Sequence, residues 1–488
     1  MRKYLKKFDI FEIYKKSTAN SWVIAALLGI MLFHIVAVCY ADITVYARYG
    51  LIFLDSLFDG KAFSFYMNAE AAGIAPKGVV YDIGLYFIYG IWNIPLWIID
   101  KVVGINPIGV GALLWYKILL VIFLIFCMIR MYDIGKLLGL SEEKSAFGSM
   151  CFAASLLTFM PIYVASQCDV IPLAFLLSAV YYIFNNDKTK MLIYVALALL
   201  TKPFSFLMLV LLVVLYQKNI LKIILEILLG AFPMLFFKIV YSMVQGTVKG
   251  AESHMVSSLE QFLEVQIPGG NGSISLFVVG YIILLIMAYL SDMKTFHKYE
   301  GAQLQYFFRR KTVIYLYFLW FVFCIFARIY PYWAIYLAPF AILVMLLNKD
   351  TENAMLFELI FEGGLTLMLI MNFSWVYGGE KTYTYTILSD MVKKSIEADG
   401  GVTVAGVLRR FKVDMLMPAI NAATLVCGAV VGILALKDSY QGIEEPEEVK
   451  KSGNEWKKAF NIQYALRVLV IGTWLLLSLA TFAAIVMR

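Results

Sequence analysis

Residues 191–216 read MLIYVALALLTKPFSFLMLVLLVVLY, an almost wholly apolar stretch with one lysine, Lys202, near its centre. A single helix of this length would cross a bilayer and place the ammonium group near the midplane, at a cost of roughly 2.5–3.5 kcal/mol on insertion scales. Both flanks are basic, which by the positive-inside rule places both in the cytoplasm. The stretch is therefore predicted to form two short helices that turn at TKPF on the outer side, in a protein-lined cavity open to water.

The composition of the whole chain agrees with a membrane protein. Of its 488 residues, 62% are hydrophobic, 16% are aromatic and only 15% are charged, and the mean hydropathy is +0.80. These values lie far outside the range of soluble domains. The net charge of +7 is spread over many short loops, so it indicates membrane orientation, and no nucleic-acid partner is expected. Six scattered cysteines lack the spacing of a zinc site or a disulfide framework.

The apolar runs predict an all-α, polytopic membrane protein with about 13 transmembrane helices. Residues 1–19 form a basic cytoplasmic N-terminus, and the first anchor ends in a long first external loop, 42–107, that carries juxtamembrane helices. Residues 346–488 supply C-terminal transmembrane helices, with an external loop 377–414 and a cytoplasmic loop 437–463. The predicted crossings are 21–40, 108–129, 146–165, 170–184, the two halves of 191–216, 220–244, 273–290, 312–327, 332–347, 353–376, 415–436 and 464–487.

The orientation follows from the loops. The N-terminal segment MRKYLKKFDIFEIYKK carries six Lys and Arg residues, which predicts a cytoplasmic N-terminus. The external loop 377–414 also carries six basic residues, against the rule, so an inverted C-terminal third is the alternative topology. A bacterial plasma membrane is favoured over the endoplasmic reticulum.

Four charged residues gather near the predicted external helix ends: Asp42, Asp169, Lys202 and Arg328. Each of the last three is followed within one to three residues by a proline, which is well suited to the first turn of a helix. At Lys202 and Arg328, free backbone N–H groups and the positive end of a helix dipole would add to a side-chain cation. This combination favours an anion such as phosphate.

Plainer interpretations remain open for each residue. Asp169 has the alternative of simply capping its helix. For Lys202 and Arg328, the alternatives are snorkelling to the interface and pairing with a carboxylate. Tyr330 and Tyr332, beside Arg328, fit either an interfacial aromatic belt or a site for a sugar or a prenyl chain.

These motifs resemble those of the GT-C superfamily of integral membrane glycosyltransferases, which take a sugar from a polyprenyl or dolichyl phosphate carrier on the non-cytoplasmic side. The resemblance covers residues 20–345, which would form a GT-C-like catalytic transmembrane module. The segment YVASQCDVIPLAF is similar to the "GQ-C-D" region of the glycosylphosphatidylinositol mannosyltransferase II-like group, and the Lys turn resembles that of the lipid A aminoarabinose transferases. In two departures, Ser166 replaces a glycine and one acid, Asp42, replaces an acidic pair.

The resemblance implies an inverting transfer of a sugar from a polyprenyl-phosphate-linked donor to a glycan or glycolipid acceptor of the cell envelope, among membrane lipids. Asp42 would be the general base. The resemblance also implies that the donor phosphate is bound by Lys202, Arg328 and Arg48. It implies that the sugar or the acceptor is bound by Asp169, Gln167, Tyr330 and Tyr332. If a divalent cation takes part, its ligands would be Asp42 and Asp169.

Three other functions remain alternatives. A flippase or transporter of lipid-linked sugars would also need buried cations for a phosphate. A surface-polysaccharide polymerase or ligase would use a late external loop, for which 377–414 is the candidate. A structural membrane subunit without activity is disfavoured by the clustering of charged residues.

Overall fold

The computed structural model describes most of the chain. The described residues are 10–17, 19–74, 79, 81–104, 107, 109–245, 260, 262–269, 272–291, 302–373, 383, 386–388, 403–440 and 455–487. Most of the predicted external loop 377–414, and part of the predicted cytoplasmic loop 437–463, lie outside these residues.

Within these ranges the chain is almost entirely helical. The first half contains α1 (Ile10–Lys16), α2 (Ser21–Ala37), α3 (Asp42–Phe58), α4 (Phe65–Ala71), α5 (Ile83–Val103), α6 (Val110–Leu137), α7 (Glu142–Ala153), α8 (Leu156–Val164), α9 (Val170–Phe184), α10 (Lys188–Leu199), α11 (Phe206–Tyr216) and α12 (Ile220–Gln245). The second half contains α13 (Leu276–Leu290), α14 (Ala302–Phe326), α15 (Ala338–Leu347), α16 (Thr351–Asn372), α17 (Val404–Arg410), α18 (Met417–Tyr440) and α19 (Glu455–Val486).

A single two-stranded hairpin interrupts the helices of the described residues. Its strands, β1 (Gln266–Gly269) and β2 (Gly272–Ser275), are antiparallel. The helix predicted from residue 273 therefore begins three residues later, at Leu276, where the side chain of Ser275 accepts a hydrogen bond from the backbone N–H of Val278.

Length and hydropathy identify an integral membrane protein. Six helices of the described residues are long and apolar enough to cross a bilayer, and two bent pairs, α2–α3 and α7–α8, raise this number to eight if each pair is one crossing. Four further apolar helices are 10–17 residues long. Each of the 13 predicted crossings overlaps helical structure, and the crossing 146–165 consists of the bent pair α7–α8. Fewer than 13 of the described helices reach the length of a full span, so the number of crossings stays a prediction.

The predicted interruption of the stretch 191–216 is confirmed. Helix α10 ends at Leu199, a short 3₁₀ turn covers Pro203–Ser205, and α11 begins at Phe206. Lys202 precedes this turn in an extended conformation, with φ −147° and ψ 114°. Proline at the first position of the turn loses no hydrogen bond, because that N–H would have no helical partner.

Helix α5, in the predicted first external loop, runs without a break through Pro95. Its 21 residues are long enough to cross a bilayer, so its juxtamembrane position stays a prediction. Helix α3 lies against it at very short range, since a Cβ atom on Gly50 would fall 2.7 Å from Cβ of Tyr89. An ion pair between Asp55 and Lys101, with the oxygen and nitrogen 2.8 Å apart, adds to this contact.

The centre of the packing lies around α9 and α15. Both helices are apolar on every face and almost every side chain is buried, as expected of helices surrounded by protein. All six cysteines are free and buried, so they pack as small core residues.

Candidate functional site

Asp42 is positioned by a bend between two helices. It begins α3, directly after the 65° bend that separates α3 from α2. The carbonyl groups at the end of α2 are short of helical donors, and a buried lysine of α6, Lys117, donates to three oxygens there, of which that of His34 also accepts from the backbone N–H of Val38. Its ammonium group donates to the oxygens of His34, at 3.2 Å, and Ile35, at 2.7 Å, and to that of Val38. A cation also suits the negative end of the helix dipole. Lys117 therefore fixes the backbone just before Asp42.

A second turn positions Gln167 and Asp169. Helix α8 ends in a π-helical turn, and the chain then reverses at Ser166, whose φ of +50° lies in the left-handed region that favours glycine. The backbone N–H of Gln167 donates to the oxygen of Pro161 at 2.9 Å. The position at which the resemblance expects a glycine is thus one at which the backbone conformation favours it.

These two turns meet at the carboxylate of Asp42. The side-chain amide of Gln167 donates to Oδ2 of Asp42 at 2.8 Å, and the hydroxyl of Tyr46 lies 3.1 Å from the same oxygen. Tyr46 also lies 3.0 Å from Oε1 of Gln167. Gln167 is fully buried, whereas Asp42 is partly exposed. Because a carboxylate only accepts hydrogen bonds, this arrangement fixes both the amide of Gln167 and the orientation of Asp42.

A second tyrosine connects this group to Lys202. The hydroxyls of Tyr46 and Tyr81 are 3.1 Å apart, and the ammonium nitrogen of Lys202 lies 4.6 Å from the centre of the Tyr81 ring. A phenol has one proton to donate. If Tyr46 donates to Asp42 or Gln167, Tyr81 must donate to Tyr46, so the hydroxyls form one directed chain that ends at Asp42.

Lys202 itself is paired with Asp169. Its nitrogen lies 3.0 Å from Oδ1 of Asp169, and the hydroxyl of Tyr336 lies 3.3 Å from the same oxygen. Asp169 occupies the position before α9 but makes no capping hydrogen bond. Of the plainer interpretations, pairing with a carboxylate therefore applies to Lys202, and helix capping does not apply to Asp169. The other oxygen of Asp169, Oδ2, is buried and has no hydrogen-bond partner.

Aromatic rings enclose the ammonium group of Lys202. The rings of Tyr81, Phe204, Tyr332 and Trp333 have their centres 4.6–5.7 Å from the nitrogen, a range in which ring faces attract cations. Lys202 is only 2% exposed. The sequence predicted that this ammonium group faces a cavity open to water. It lies instead in a closed surrounding, in which the charge of Asp169 balances its own.

The turn that carries Lys202 is attached to the start of α5. The backbone N–H of Gly84 donates to the oxygen of Leu200 at 2.9 Å. A Cβ atom at position 84 would lie 2.6 Å from that oxygen, so only glycine allows the two backbones to approach this closely.

The predicted aromatic residues divide between the interior and the surface. Tyr332 is 5% exposed and lies beside Lys202. Tyr330 is partly exposed and stacks on Tyr332, with ring centres 5.6 Å apart and planes within 3° of parallel.

The other two predicted cations have partners outside this cluster. Arg328 has a side chain that is 55% exposed and pairs with Glu264 at 2.7 Å, so pairing with a carboxylate applies to it as well. Arg48 is partly buried on α3, where its charge acts on Tyr116 of α6. The structure thus brings together Asp42, Gln167, Asp169, Lys202 and Tyr332.

Comparisons with protein-family models, with curated proteins and with solved structures found no match. The geometry of the site is therefore the evidence for its chemistry.

The donor groups do not fit a divalent cation held by Asp42 and Asp169. Oδ1 of Asp169 is bound to the ammonium group of Lys202, and two positive charges on one buried carboxylate would repel each other. Oδ2 of Asp42 already has Gln167 and Tyr46 as donors. In the described part of the chain, no group of three or more His, Cys, Asp or Glu side chains is arranged to hold a metal ion.

Four residues of this site were not predicted: Tyr46, Tyr81, Tyr336 and Lys117. Two of them had a recognisable signal. Tyr46 is four residues after Asp42 and therefore shares its face of the helix. Lys117 stands in an apolar run, as Lys202 does. Tyr81 and Tyr336 have no such signal, since their roles depend on contacts between distant segments.

Proposed function

We propose that this protein is an inverting glycosyltransferase of GT-C-like architecture with about 13 crossings. It would move a sugar from a polyprenyl-phosphate carrier to a hydroxyl group of a glycan or glycolipid on the non-cytoplasmic face of the membrane. The hydrogen bond of 2.8 Å between Gln167 and Asp42 carries this proposal, because it joins the acid of the first bend to the SQCD turn and, through Tyr46 and Tyr81, to the Lys202–Asp169 pair.

Asp42 has the properties of a general base. It is partly exposed, so an acceptor hydroxyl can reach it, and Gln167 and Tyr46 hold its carboxylate in one orientation. In the proposed reaction the acceptor oxygen attacks the anomeric carbon while Asp42 takes its proton. The bond from that carbon to the phosphate oxygen breaks, and its electron pair leaves with polyprenyl phosphate. A positioned base contributes about 10²–10⁴ in rate.

Asp169 supports recognition of the sugar. Its Oδ2 atom is buried without a hydrogen-bond partner, although Oδ1 is bound by Lys202 and Tyr336. An unsatisfied buried acceptor costs about 1–3 kcal/mol, and a sugar hydroxyl is a donor that would satisfy it. Gln167 and Tyr332 lie beside the same cluster and complete the proposed sugar site.

The two predicted phosphate ligands differ in how readily they would become available. An exposed pair such as Arg328–Glu264 is worth about 0–1 kcal/mol, so Arg328 exchanges Glu264 for a phosphate at little cost. The buried pair Lys202–Asp169 does not separate cheaply. We therefore assign the direct phosphate contact to Arg328. Lys202 contributes its charge within the pair, and Arg48 has a supporting role at most.

The test is a transfer assay on purified protein in lipid nanodiscs. A panel of polyprenyl-phosphate sugars is supplied as donors, and release of free polyprenyl phosphate is measured. Asp42→Asn is expected to lower the rate by about 10²–10⁴ and to leave binding of the carrier lipid intact. Asp59→Asn, an exposed position at the other end of α3, is the matched control and is expected to behave as the wild type.

Two results would reject the proposal. If the wild type releases no polyprenyl phosphate from any donor but moves intact carrier lipid across the membrane, the protein is a flippase. If release is normal in a well-expressed Asp42→Asn variant, the protein transfers a sugar with another base.

A further inference from the structure

A second group of buried charges lies in the C-terminal helices, outside the candidate site. Glu358 and Glu362 are four residues apart on α16, and Arg467 is on α19. All three side chains are at most 2% exposed. Each lies well inside a helix that is long and apolar enough to cross the membrane. Ionisable residues at such positions are rare and costly, and they commonly have a function.

The contacts of the two carboxylates are unequal. Glu362 accepts hydrogen bonds from Arg467 at 3.1 Å, from the hydroxyl of Ser155 at 2.7 Å and from the backbone N–H of Leu156 at 3.2 Å. Glu358 accepts from Arg467, through Oε2, and its carboxylate lies within hydrogen-bond range of that of Glu362. Its other oxygen, Oε1, is buried and has no hydrogen-bond partner. Glu362 is thus fully bound, whereas half of the Glu358 carboxylate has nothing to bind.

The charges of this cluster do not balance. Two ionised carboxylates and one guanidinium group leave one negative charge in the interior, which is strongly unfavourable. Arg467 is the only cation that pairs with them among the described residues. The other titratable groups that act on the cluster are Cys151, Tyr317 and Tyr464. A buried thiol and buried phenols are uncharged near neutral pH, so they do not supply the missing charge.

We propose that Glu358 and Glu362 together bind one proton, so that the cluster is an electrically neutral proton-binding site inside the membrane domain. The proton adds to a carboxylate oxygen and forms an O–H group. It removes the excess charge, and the O–H group can donate to the carboxylate of the neighbouring glutamate of the pair. The proton belongs to the pair, since two close carboxylates titrate as one unit.

This site does not depend on the proposed transfer reaction. It nevertheless adjoins the first half of the chain, because Ser155 and Leu156 begin α8, the segment that leads to Ser166, Gln167 and Asp169. Glu362 therefore binds the bend between α7 and α8, and α8 connects this bend to the turn of the candidate site.

Infrared spectroscopy of the purified protein in nanodiscs at neutral pH tests the proposal. A protonated carboxyl group has a C=O stretching band distinct from the bands of a carboxylate. The difference spectrum of wild type minus Glu358→Gln is expected to contain one protonated carboxyl group. The matched control, Glu352→Gln, changes an exposed acid on the same helix, and its difference spectrum is expected to show only loss of a carboxylate.

Thermal unfolding gives a second readout. Glutamine has the shape and neutrality of a protonated glutamate, so Glu358→Gln is expected to keep the wild-type midpoint. Glu362→Gln weakens the three hydrogen bonds that this carboxylate accepts and is expected to lower the midpoint. The proposal is overturned if the wild type has no protonated carboxyl group and Glu358→Gln lowers the midpoint as much as Glu362→Gln. It is also overturned if sodium or potassium ions raise the wild-type midpoint and not that of Glu358→Gln, since a metal ion would then hold the place of the proton.

Discussion

The two buried groups of charges are built in opposite ways. Asp42, Asp169 and Lys202 stand where helices are interrupted, at the junctions of α2 with α3, α8 with α9 and α10 with α11. Glu358, Glu362 and Arg467 stand inside two uninterrupted helices, α16 and α19. An interruption releases backbone groups that need partners and lets side chains approach from several directions. An uninterrupted helix offers only a fixed spacing, here i and i+4 on one face.

The difference between interrupted and uninterrupted helices determines which ligand each group of charges can accept. The interrupted region pairs one acid with one cation, Asp169 with Lys202, and leaves Asp42 partly exposed and held by neutral donors. Such a site can receive a substrate without disturbing its buried charge balance. The uninterrupted region encloses two acids with one cation, and the smallest ligand that balances it is a proton.

The largest expected effect on stability is that of Arg467→Met. Removing the only cation of the cluster among the described residues leaves two buried acids unpaired, and breaking such a pair costs about 3–5 kcal/mol of unfolding free energy. Unfolding in mixed detergent micelles measures it. Arg410→Met, at an exposed position, is the control and should change stability by less than about 0.5 kcal/mol. A small effect of Arg467→Met would mean that the cluster is not charged.

The balanced pair of the first half should respond differently. Lys202→Met alone leaves Asp169 buried without its cation and is expected to cost about 3 kcal/mol. The double variant Lys202→Met, Asp169→Asn removes both charges and should be more stable than Lys202→Met alone. The same unfolding measurement on both single variants and the double variant closes the cycle. Equal losses in the single and double variants would contradict a coupled pair.

A smaller effect is expected from the lysine that holds the first bend. Lys117→Met removes the ammonium donor of the Ile35 oxygen and one of the two donors of the His34 oxygen, which should cost about 1–3 kcal/mol. Because Asp42 follows these carbonyls directly, the rate of sugar transfer should fall as well, with little change in the KM of the donor. Lys136→Met, on the same helix but 44% exposed, should alter neither property. A transfer rate unaffected by Lys117→Met would separate the bend from the positioning of Asp42.

The smallest effect is a gain in stability. Ser166→Gly relieves a left-handed backbone and is expected to stabilise the protein by about 0.5–1 kcal/mol, after the extra chain entropy of glycine is subtracted. Asn186 also has a positive φ, of 60°, but asparagine tolerates this region well. Asn186→Gly should therefore give a smaller gain. If Ser166→Gly lowers the unfolding temperature, the side chain of Ser166 stabilises the protein by more than its left-handed backbone conformation destabilises it.

The sequence predicted the helices better than it predicted the partners of the charges. The apolar runs located all the main helices, and the lysine in 191–216 located an interruption that is present, because both features follow from local composition. The same lysine was assigned to a phosphate, but its nearest charged group is Asp169. That pairing depends on how α9 packs against the 200–205 turn. The packing of two separate segments cannot be predicted from a local sequence pattern.

The cluster of α16 and α19 was missed for another reason. Glu358 and Glu362 recur at i and i+4 in an otherwise apolar helix, and Arg467 interrupts a second one, so the signal was in the sequence. Patterns at external helix ends do not include these residues, because they lie in the middle of their helices. Two acids four residues apart in an apolar helix lie on the same face, so together they indicate one buried site.

The contact between Gly84 and Leu200 limits how the candidate site can open. The two backbones touch with no side chain between them, so moving the 200–205 turn away from the first turn of α5 would break this hydrogen bond. The proposed lipid donor is then expected to enter past the segment from Arg328 to Tyr332, where an exposed ion pair and two stacked rings are the parts that separate most easily.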